Sequence, residues 1–310
     1  MGMAINLHHL RLFAAVVDHG GFTKAAEQLG VSQPAISKSL NELERRLSVR
    51  LIDRTSRSAE LTHAGRILHA RARELFGLER VAERELRELR GLKRGRLRVA
   101  ASPTVATYLL PDALARFHRR RPTVRVSANQ ADDKTVLRLF LESRVDVAIS
   151  EDPPAHELVE AVPWRSDELI VIAPPDHSLV NRDPIALEDL ADFSFLVNER
   201  GCPIRAAGEL ALAKRGVRMR TMRVGGTEAI KRGVAAGLGL SIVSKTAAAD
   251  LLSLGRIAAV PVRGLAIHRT LARLRLRGRA RGISPAGREF ELLLDEASNA
   301  ELASDATGVA

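Results

Sequence analysis

The hydrophobic pattern of this chain changes near residue 96, and no other feature of the sequence constrains the fold as strongly. Before that point, apolar residues recur every three to four positions, which is the spacing of an amphipathic helix. After it, short apolar runs typical of strands alternate with stretches of helical spacing. We therefore predict a helical N-terminal part followed by an α/β part, and 310 residues are enough for two domains.

The first sixty residues carry the signals of three helices. Leu7 begins an apolar helical repeat that ends at the glycine pair 20–21. Thr23 opens a short second helix that ends at Gly30, since glycine readily adopts the left-handed conformation that closes a helix. Ser32 is a good N-cap for the third helix, because its hydroxyl can accept from a free backbone N–H group. The pattern predicts helix, glycine turn and helix in succession.

The third helix combines an apolar stripe with a polar first turn. The stripe consists of Ile36, Leu40, Leu43 and Leu47. A recognition helix needs this division, because its first turns enter the major groove, where glutamine can pair with adenine and serine or lysine can reach a base edge or phosphate. Residues 32–34 could instead simply start an ordinary helix, and residues 42 and 44–46 are expected to form a solvated face. We predict DNA contacts from Thr23, Ser32, Gln33, Pro34, Ser37 and Lys38.

A short hairpin is predicted after the third helix. The segments 51–54 and 59–62 flank the polar, basic run 55–58. A hairpin with a basic tip can place arginine side chains on DNA phosphates or in the minor groove. We predict this role for Arg54 and Arg57.

Three motifs in this region match a known signature, namely Gly21-Phe22-Thr23-Lys24-Ala25-Ala26, Ser32-Gln33-Pro34-Ala35-Ile36-Ser37 and Leu61-Thr62-His63-Ala64-Gly65. Through them the N-terminal part resembles the LysR-type transcriptional regulators. The resemblance implies a winged helix-turn-helix at residues 1–62 that works as a dimer or tetramer on double-stranded promoter DNA. It also implies an effector domain behind it. The family usually has Ser, Gly and Phe where this chain has Gly21, Ser48 and Ile52.

Residues 63–90 are predicted to form one long helix, because they contain no proline. Apolar residues recur in it at a spacing of seven, which is typical of a helix with a helical partner. The glycines in 91–95 then interrupt it, so we assign 63–94 to a linker (dimerisation) helix and hinge. The helix could instead pack only on its own domain. The LysR resemblance implies antiparallel pairing of this helix between two subunits.

Residues 95–300 alternate strands with helices, which predicts a mostly parallel sheet covered on both faces. In such sheets ligands bind beyond the carboxyl ends of the strands, where N–H groups at helix starts attract anions. Any one residue there could be an ordinary loop or cap residue, so the hypothesis rests on their convergence. The candidate effector-binding residues are Ser102, Thr104, Gln130, Ser150, Cys202, Arg205 and Thr227.

This second part also resembles the LysR family, through the motifs Ser102-Pro103-Thr104-Val105-Ala106, Asp146-Val147-Ala148-Ile149 and Val234-Ala235-Ala236-Gly237-Leu238-Gly239. The resemblance implies a fold that is α/β with an all-α-type winged helix-turn-helix N-terminal domain and a periplasmic-binding-protein-like, two-lobed α/β effector domain. The effector would bind between the lobes. Arg205 and the nearby hydroxyls favour a carboxylate- or phosphate-bearing metabolite. Residues 301–310 are expected to be a flexible tail.

Composition narrows the function further. The net charge is +11, and seven of these excess positive charges lie in residues 1–96, which favours a polyanionic partner for the N-terminal part. No apolar run approaches the roughly 18 residues that span a bilayer, and no signal peptide is visible, so we expect a cytoplasmic protein without a membrane partner. The single cysteine leaves no disulfide or zinc ligand set. We expect no cofactor, no metal and no enzymatic activity, because no nucleophile elbow, phosphate-binding loop or dinucleotide fingerprint is present.

Alternative functions explain less of the chain. A stand-alone solute-binding protein would use only the second part, and an architectural DNA-binding protein only the first. Cys202 lies where peroxide-sensing relatives carry a reactive thiol, and Arg205 could favour its thiolate, but a second cysteine is missing. A wall of the ligand pocket or a buried thiol is therefore the favoured role. The arginines in 269–281 alternate with leucines and are predicted to cover the solvent face of an edge strand.

Overall fold

The computed structural model describes residues 5–53, 60–89, 95–182, 185–277 and 284–307. These residues form two compact units. The first contains the described residues before residue 91 together with the turn Leu141–Arg144, and the second contains the others. This division agrees with the change of hydrophobic pattern near residue 96.

The first unit is mainly helical. Its elements are α1 (Leu7–Asp18), α2 (Phe22–Leu29), α3 (Gln33–Leu47), β1 (Ile52–Asp53), β2 (Glu60–Leu61) and α4 (His63–Leu89). The two short strands pair antiparallel, as the hairpin prediction requires. Residues 54–59, which include Arg54 and Arg57, lie outside the described part of the chain.

The boundaries of the helix-turn-helix follow from local chemistry. Gly30 adopts a left-handed conformation with φ of 64° and closes α2. The Ser32 hydroxyl accepts from the backbone N–H of Ala35 at 3.4 Å and caps α3. The second helix begins at Phe22, one residue before the predicted Thr23, and its N-cap Gly21 makes no side-chain hydrogen bond. Both ends of the turn therefore lie close to the positions that the sequence predicts.

A single apolar core holds the three helices together. The predicted stripe of α3 is buried at Ile36, Leu40 and Leu43, and it packs in one cluster with Phe13. Ala25 of α2 is fully buried, and its small side chain allows α2 to approach the other helices closely. The exposed first turn of α3 is thus supported from behind by rigid packing.

The long helix α4 begins in a tight turn. The Thr62 hydroxyl accepts from the Gly65 N–H at 3.0 Å and donates to the carbonyl oxygen of Arg50 at 2.7 Å. A Cβ atom on Gly65 would lie 2.0 Å from the carbonyl oxygen of Leu51. Only glycine therefore fits at this point of α4 without a shift of the backbone.

The second unit contains the other elements. They are β3 (Arg96–Ala101), α5 (Leu110–Arg120), β4 (Arg125–Gln130), α6 (Asp133–Leu141), β5 (Val147–Ser150), β6 (Val159–Ala173), β7 (Ser194–Val197), α7 (Pro203–Ala213), β8 (Arg220–Arg223), α8 (Thr227–Ala235), β9 (Ser241–Ser244), α9 (Lys245–Ser253), β10 (Ala258–Val260), β11 (Ile267–Leu276) and α10 (Pro285–Thr307). One π-helical turn, Val105–Leu109, precedes α5, and one 3-10 turn, Leu187–Leu190, precedes β7.

The main sheet is mixed, so the prediction of a mostly parallel sheet is wrong. Its strand order is β10-β6-β11-β5-β3-β4, with β9 also paired to β6. Strands β3, β4 and β5 are parallel, but β6 runs antiparallel to β9, β10 and β11, and β11 runs antiparallel to β5. The chain passes from the first half of the second unit to the other half along the long strand β6, and it comes back along β11. Because β6 and β11 are neighbours that carry the chain in opposite directions, they pair antiparallel.

Two lobes result, each with its own core. Lobe I contains β3, β4, β5, α5, α6 and α10, and lobe II contains β7 to β10 and α7 to α9. In lobe I, Phe117 meets Phe290 edge to face, with 5.5 Å between ring centroids. Strand β6 contributes Trp164 to the lobe I core and Leu169 to the lobe II core. The two-lobed α/β architecture of the prediction is confirmed.

The closing helix α10 extends into the segment that was expected to be a flexible tail. Residues 301–310 were assigned to that tail, but the backbone remains helical to Thr307. The segment is rich in alanine and small polar residues. Alanine is also the best helix former, so that composition does not exclude a helix.

We predict that Gly65→Ala destabilises the first unit by about 1–3 kcal/mol, because the added methyl group meets the backbone oxygen of Leu51. The direction is the opposite of helix propensity, which favours alanine over glycine by about 1 kcal/mol. Urea unfolding followed by helical circular dichroism measures the change. Ala70→Gly, at an exposed position of the same helix, is the control and should cost only the propensity difference. A Gly65→Ala protein that is more stable than the parent would contradict the close approach.

Candidate functional site

The first turns of α3 form an exposed polar surface. Gln33, Pro34 and Lys38 are exposed, and Ser37 is half-buried between them. The Gln33 amide donates to the Ser37 hydroxyl at 3.2 Å, so the two side chains are held together one turn apart. Of the remaining predicted DNA contacts, Thr23 and Ser32 are exposed on or beside the same helix-turn-helix. The structure therefore brings together every described member of the predicted set.

One residue of the predicted solvated face is buried. Glu44 is 7% exposed, and its Oε1 atom accepts from the backbone N–H groups of Leu51 at 2.7 Å and Ile52 at 3.2 Å. This carboxylate joins the end of α3 to the start of β1 and supplies the acceptor that these two buried N–H groups need. The prediction of solvation is wrong for Glu44. Arg45 and Arg46 are exposed as predicted.

A cleft of about 1010 Å³ lies between the two lobes of the second unit. Lobe I contributes the ends of β3, β4 and β5 and the π-helical turn after β3. Lobe II contributes the loops that lead into α7 and α8. Four of the predicted effector-binding residues line the cleft, namely Thr104, Gln130, Cys202 and Thr227. Ser102, Ser150 and Arg205 are outside the lining.

Both buried serines are engaged by a carboxylate that the sequence analysis missed. Ser102 and Ser150 are fully buried, and each hydroxyl donates to Oδ1 of Asp133. The same oxygen accepts from the backbone N–H groups of Glu151 at 3.0 Å and Asp152 at 3.3 Å. Asp133 is the first residue of α6, and it also lines the cleft. No motif marks it, because its role depends on three strand ends that meet only in the folded chain.

Arg205 was predicted to contact a ligand, but in the structure its guanidinium bonds to nearby residues of its own lobe. Its Nε atom donates to Glu209 at 2.7 Å, one helical turn along α7, and its Nη1 atom donates to the carbonyl oxygen of Asn198 at 3.0 Å. The guanidinium is therefore held against its own lobe. The basic side chains in the cleft lining are instead Lys134 and Arg200.

A buried ion network crosses the floor of the cleft where the lobes join. Arg269 of β11 donates from Nε to Asp167 at 2.7 Å and from Nη1 to Glu151 at 2.5 Å. Glu151 also accepts from the backbone N–H of Thr104 at 2.6 Å, and Asp167 accepts from the Ser244 hydroxyl at 2.7 Å. Burial lowers the pKa of Arg269, but the two carboxylates outweigh this effect and hold the pKa above its usual value. The guanidinium stays charged.

The prediction of a solvent-facing arginine series on an edge strand is therefore wrong at two positions. Strand β11 lies between β6 and β5 and is not an edge strand. Arg269 belongs to the buried network, and Arg273 is 7% exposed and pairs with Asp295 of α10 at 2.5 Å. Arg275 and Arg277 are exposed as predicted, whereas Arg279 and Arg281 lie outside the described residues.

A second contact joins the lobes at the rim of the cleft. The hydroxyl of Tyr108 in lobe I donates to Glu228 in lobe II at 2.6 Å. The same carboxylate pairs at 2.8 Å with Lys231, which is completely buried and also pairs with Asp250 at 2.8 Å. The ammonium group lies 4.9 Å from the Tyr108 ring centroid. Burial and the bond to Glu228 raise the pKa of Tyr108, so this hydroxyl remains a donor at neutral pH.

The thiol of Cys202 faces the cleft from the N-cap position of α7. Burial raises its pKa, and this effect outweighs the backbone N–H groups of Arg205 and Ile204, which favour the thiolate. The guanidinium of Arg205 is turned to Glu209 and Asn198. The thiol is consequently protonated at neutral pH, as expected for a residue of the pocket wall.

Comparisons with known proteins agree over most of the chain. A model of the LysR substrate binding domain matches residues 90–298, and a model described as bacterial regulatory helix-turn-helix protein, lysR family, matches residues 7–66. The RuBisCO operon transcriptional regulator of Allochromatium vinosum is 34% identical over 298 residues, which cover 96% of this chain and 98% of that protein.

Solved structures are similar to this chain over nearly its full extent or over its second part. A full-length OxyR variant from Pseudomonas aeruginosa is 25% identical with a TM-score of 0.66, and the match covers 94% of each chain. The regulatory domain of Synechocystis PCC6803 CcmR in complex with 2-PG is 26% identical with a TM-score of 0.59, covering 66% of this chain and 98% of that domain. In the part of the chain that the structure describes, no helix is long and apolar enough to cross a membrane.

We predict that Cys202 reacts slowly with iodoacetamide in the folded protein. Its raised pKa leaves less thiolate at pH 7.5 than an unfolded chain has, and the rate should be at least about fivefold lower than in guanidinium-unfolded protein. The rate should rise with pH through a range above that of a free thiol. Mass spectrometry of this single cysteine measures both rates. A folded protein that reacts as fast as the unfolded chain at pH 7.5 would contradict the buried, protonated thiol.

Proposed function

Because this chain belongs to the LysR family of bacterial transcriptional regulators, we propose that α3 reads its DNA site and that a small-molecule effector binds in the cleft between the lobes. Like its relatives, the protein is a transcriptional regulator rather than an enzyme. The observation that carries the residue-level proposal is the exposed, pre-arranged polar start of α3 over a buried apolar stripe. The proposed location is the bacterial cytoplasm, where the DNA is.

We propose that Gln33 and Ser37, with Lys38 beside them, are the residues that contact the bases. The hydrogen bond between Gln33 and Ser37 limits the rotamers of both side chains before DNA is bound, so less conformational entropy is lost on binding. Glutamine can pair with the N6 and N7 positions of adenine in the major groove. Ser32 and Thr23 lie where the helix starts meet the DNA backbone, and their hydroxyls suit phosphate contacts. Arg54 and Arg57 are proposed for phosphate or minor-groove contacts.

Helix α4 is the proposed dimerisation surface. Four of its large apolar side chains are exposed to solvent, namely Ile67 at 54%, Leu75 at 40%, Leu78 at 62% and Leu86 at 61%. The intervals between these positions are eight, three and eight residues, close to whole turns of a helix, so the four side chains lie on one side of α4. An apolar side of this kind is typical of a helix that packs on another helix. A contiguous apolar face of this kind is costly to leave in water. We infer that a second copy of α4 covers it and that dimers bind near-palindromic sites, whose two halves add discrimination.

The proposed effector carries an anionic group, which lobe II binds. The starts of α7 and α8 both line the lobe II side of the cleft, and their backbone N–H groups and helix dipoles favour negative charge. Arg200 and the Thr227 hydroxyl line the same side of the cleft. The similar CcmR domain was solved in complex with 2-PG, which is 2-phosphoglycolate. The sequence favoured Arg205, Ser102 and Ser150 as contacts of this anionic group. Because their side chains are bonded to groups of the protein, we do not include them in the proposed site.

The proposed signal is a change in how the lobes close. Strands β6 and β11 connect the lobes, and the contact between Tyr108 and Glu228 spans the rim. An effector in the cleft touches both lobes and shifts the equilibrium only as far as it binds one arrangement more tightly than the other. Such a shift in each subunit would change the placement of the DNA-binding pairs on the promoter.

The function is tested by binding purified protein to fragments upstream of its own gene and of neighbouring genes. Salt is fixed and competitor DNA is in excess, because phosphate contacts alone give non-specific binding. Each fragment is assayed with and without fractionated cellular metabolites. Specific retention that changes with one fraction supports both halves of the proposal. Retention no better than competitor across all fragments would contradict sequence-specific reading by α3.

We predict that Gln33→Ala lowers specific affinity by roughly 5- to 150-fold, the worth of one base contact of about 1–3 kcal/mol, and leaves non-specific affinity nearly unchanged. Gln28→Ala is the matched control, because Gln28 is an exposed glutamine on α2 rather than α3. The control should leave the ratio of specific to non-specific affinity unchanged. Titration with labelled operator and with unrelated DNA at one salt concentration gives the ratio. Equal losses on both DNAs for Gln33→Ala would contradict the assigned base contact.

We predict that the double variant Leu78→Glu, Leu86→Glu is shifted towards monomer, because four charges per dimer would be buried in an apolar helix pair. The matched control is Leu254→Glu, Leu292→Glu, at leucines that are 71% and 64% exposed in the second unit. Sedimentation velocity over a range of concentrations gives the oligomeric state. A double variant on α4 that remains as oligomeric as the control would show that this helix is not the dimer interface.

A further inference from the structure

Oδ1 of Asp133 accepts hydrogen bonds from four donors. Two are the fully buried hydroxyls of Ser102 and Ser150, and two are the backbone N–H groups of Glu151 and Asp152. These donors converge at the carboxyl ends of β3 and β5. That place in an α/β sheet is where bound anions usually sit. We call these four donors the lobe I cradle.

The carboxylate that fills the cradle belongs to the protein itself. Asp133 opens α6, so the dipole of its own helix also favours its negative charge. Two buried hydroxyls and two N–H groups that lacked an acceptor would each cost free energy. Asp133 satisfies all four of them without an external anion.

The two oxygens of Asp133 differ in their partners. Oδ1 accepts four hydrogen bonds, whereas none of the described residues donates to Oδ2. Because Asp133 belongs to the cleft lining, Oδ2 is the oxygen that remains for a ligand. The rest of the lobe I lining is acidic at Asp132, Glu151 and Asp152, against one base, Lys134. An incoming anion would meet like charges there, and a hydrogen-bond donor would meet an available acceptor.

We propose that Asp133 is an internal anion that closes the lobe I cradle to external anions and thereby decides which end of an effector lobe I accepts. This inference rests on the proposed effector site. It assigns the negative group of the effector to lobe II and a hydrogen-bond donor, a hydroxyl or an ammonium group, to lobe I at Asp133. The effector class is then a small acid with a hydroxyl or amino group at its other end.

The test removes the Asp133 carboxylate by substitution and offers acetate as a free carboxylate to the lobe I cradle. In Asp133→Ala the two hydroxyls and the Asp152 N–H lose the Asp133 acceptor, and the Glu151 N–H keeps only the Ser102 hydroxyl, to which it donates at 3.0 Å. Acetate should therefore bind in place of the missing side chain and raise the Tm. A specific ligand stabilises by mass action, and at about ten times its Kd the rise should be about 3 °C and should saturate. Acetate is titrated against chloride at constant ionic strength, so that general salt effects cancel. The unvaried protein, whose cradle is full, shows only the rise that acetate causes by binding elsewhere, such as in lobe II. That rise is the baseline, and an acetate response here means a saturable rise above it.

Three further variants assign the effect to the cradle. Asp112→Ala is the matched control, since Asp112 is an exposed acid in the first turn of α5 and is not in the cleft lining. It should show no acetate response. Asp133→Asn keeps an acceptor oxygen and the side-chain volume, so it should fold and also show no response. Adding Ser150→Ala to Asp133→Ala removes one donor and should weaken the acetate response at least several-fold.

Each outcome decides the proposal. Acetate rescue confined to Asp133→Ala supports it. If the rise in Asp133→Ala is no larger than the baseline rise of the unvaried protein, removing Asp133 has opened no anion site and the proposal is overturned. An acetate response in Asp133→Ala that Ser150→Ala does not weaken would place the acetate outside the cradle and also overturns it. If Asp133→Ala fails to fold without acetate, recovery of the folded protein upon refolding in acetate, compared with chloride, gives the same decision. Because neither DNA nor effector is used, a failure here is distinct from a failure of the proposed function.

Discussion

The second unit depends on the buried ion network of Arg269, Asp167 and Glu151. A charged guanidinium in this position is tolerable only because two carboxylates lie within hydrogen-bond distance of it, and removal of one partner of such a pair typically costs about 3–5 kcal/mol. The network joins β11 and β6, which connect the lobes, to the end of β5 on the cleft floor. It thus ties the geometry of the cleft to the strands that connect the lobes.

The two halves of the cleft have different electrostatic characters for a structural reason. In lobe II the starts of α7 and α8 leave backbone N–H groups near the cleft, and Arg200 lies beside them. In lobe I the corresponding donors already form hydrogen bonds with Asp133, and the other charged residues of the lobe I lining are mainly acidic. A ligand that bridges the lobes therefore meets donors on one side and acceptors on the other. This asymmetry favours one orientation of an effector with unlike ends.

The sequence predicted the helix-turn-helix almost completely, since its determinants are local. A capping serine, a left-handed glycine and an apolar stripe act within one or two turns of the chain. The cleft was predicted only in part. Thr104, Gln130, Cys202 and Thr227 could be predicted for its lining because strand ends can be located from the pattern. Arg205 pairs locally with Glu209 and Asn198 instead of facing a ligand. The roles of Ser102 and Ser150 depended on Asp133, which lies 31 and 17 residues away from them along the chain. The same limit explains why Arg269 was placed in solvent: alternation gives the face of a strand, not what covers it.

By itself the sequence determined the division into two parts, the boundaries of most helices, the exposed polar start of α3 and the apolar repeat of α4. Each follows from periodicity and from caps, which contacts within a few residues decide. Only the tertiary structure decided that the main sheet is mixed, that Glu44 is buried beneath the start of β1 and that the lobe I cradle is filled by Asp133. These features arise where segments tens of residues apart converge, and the burial and hydrogen bonds created there decide which charges are available to a ligand.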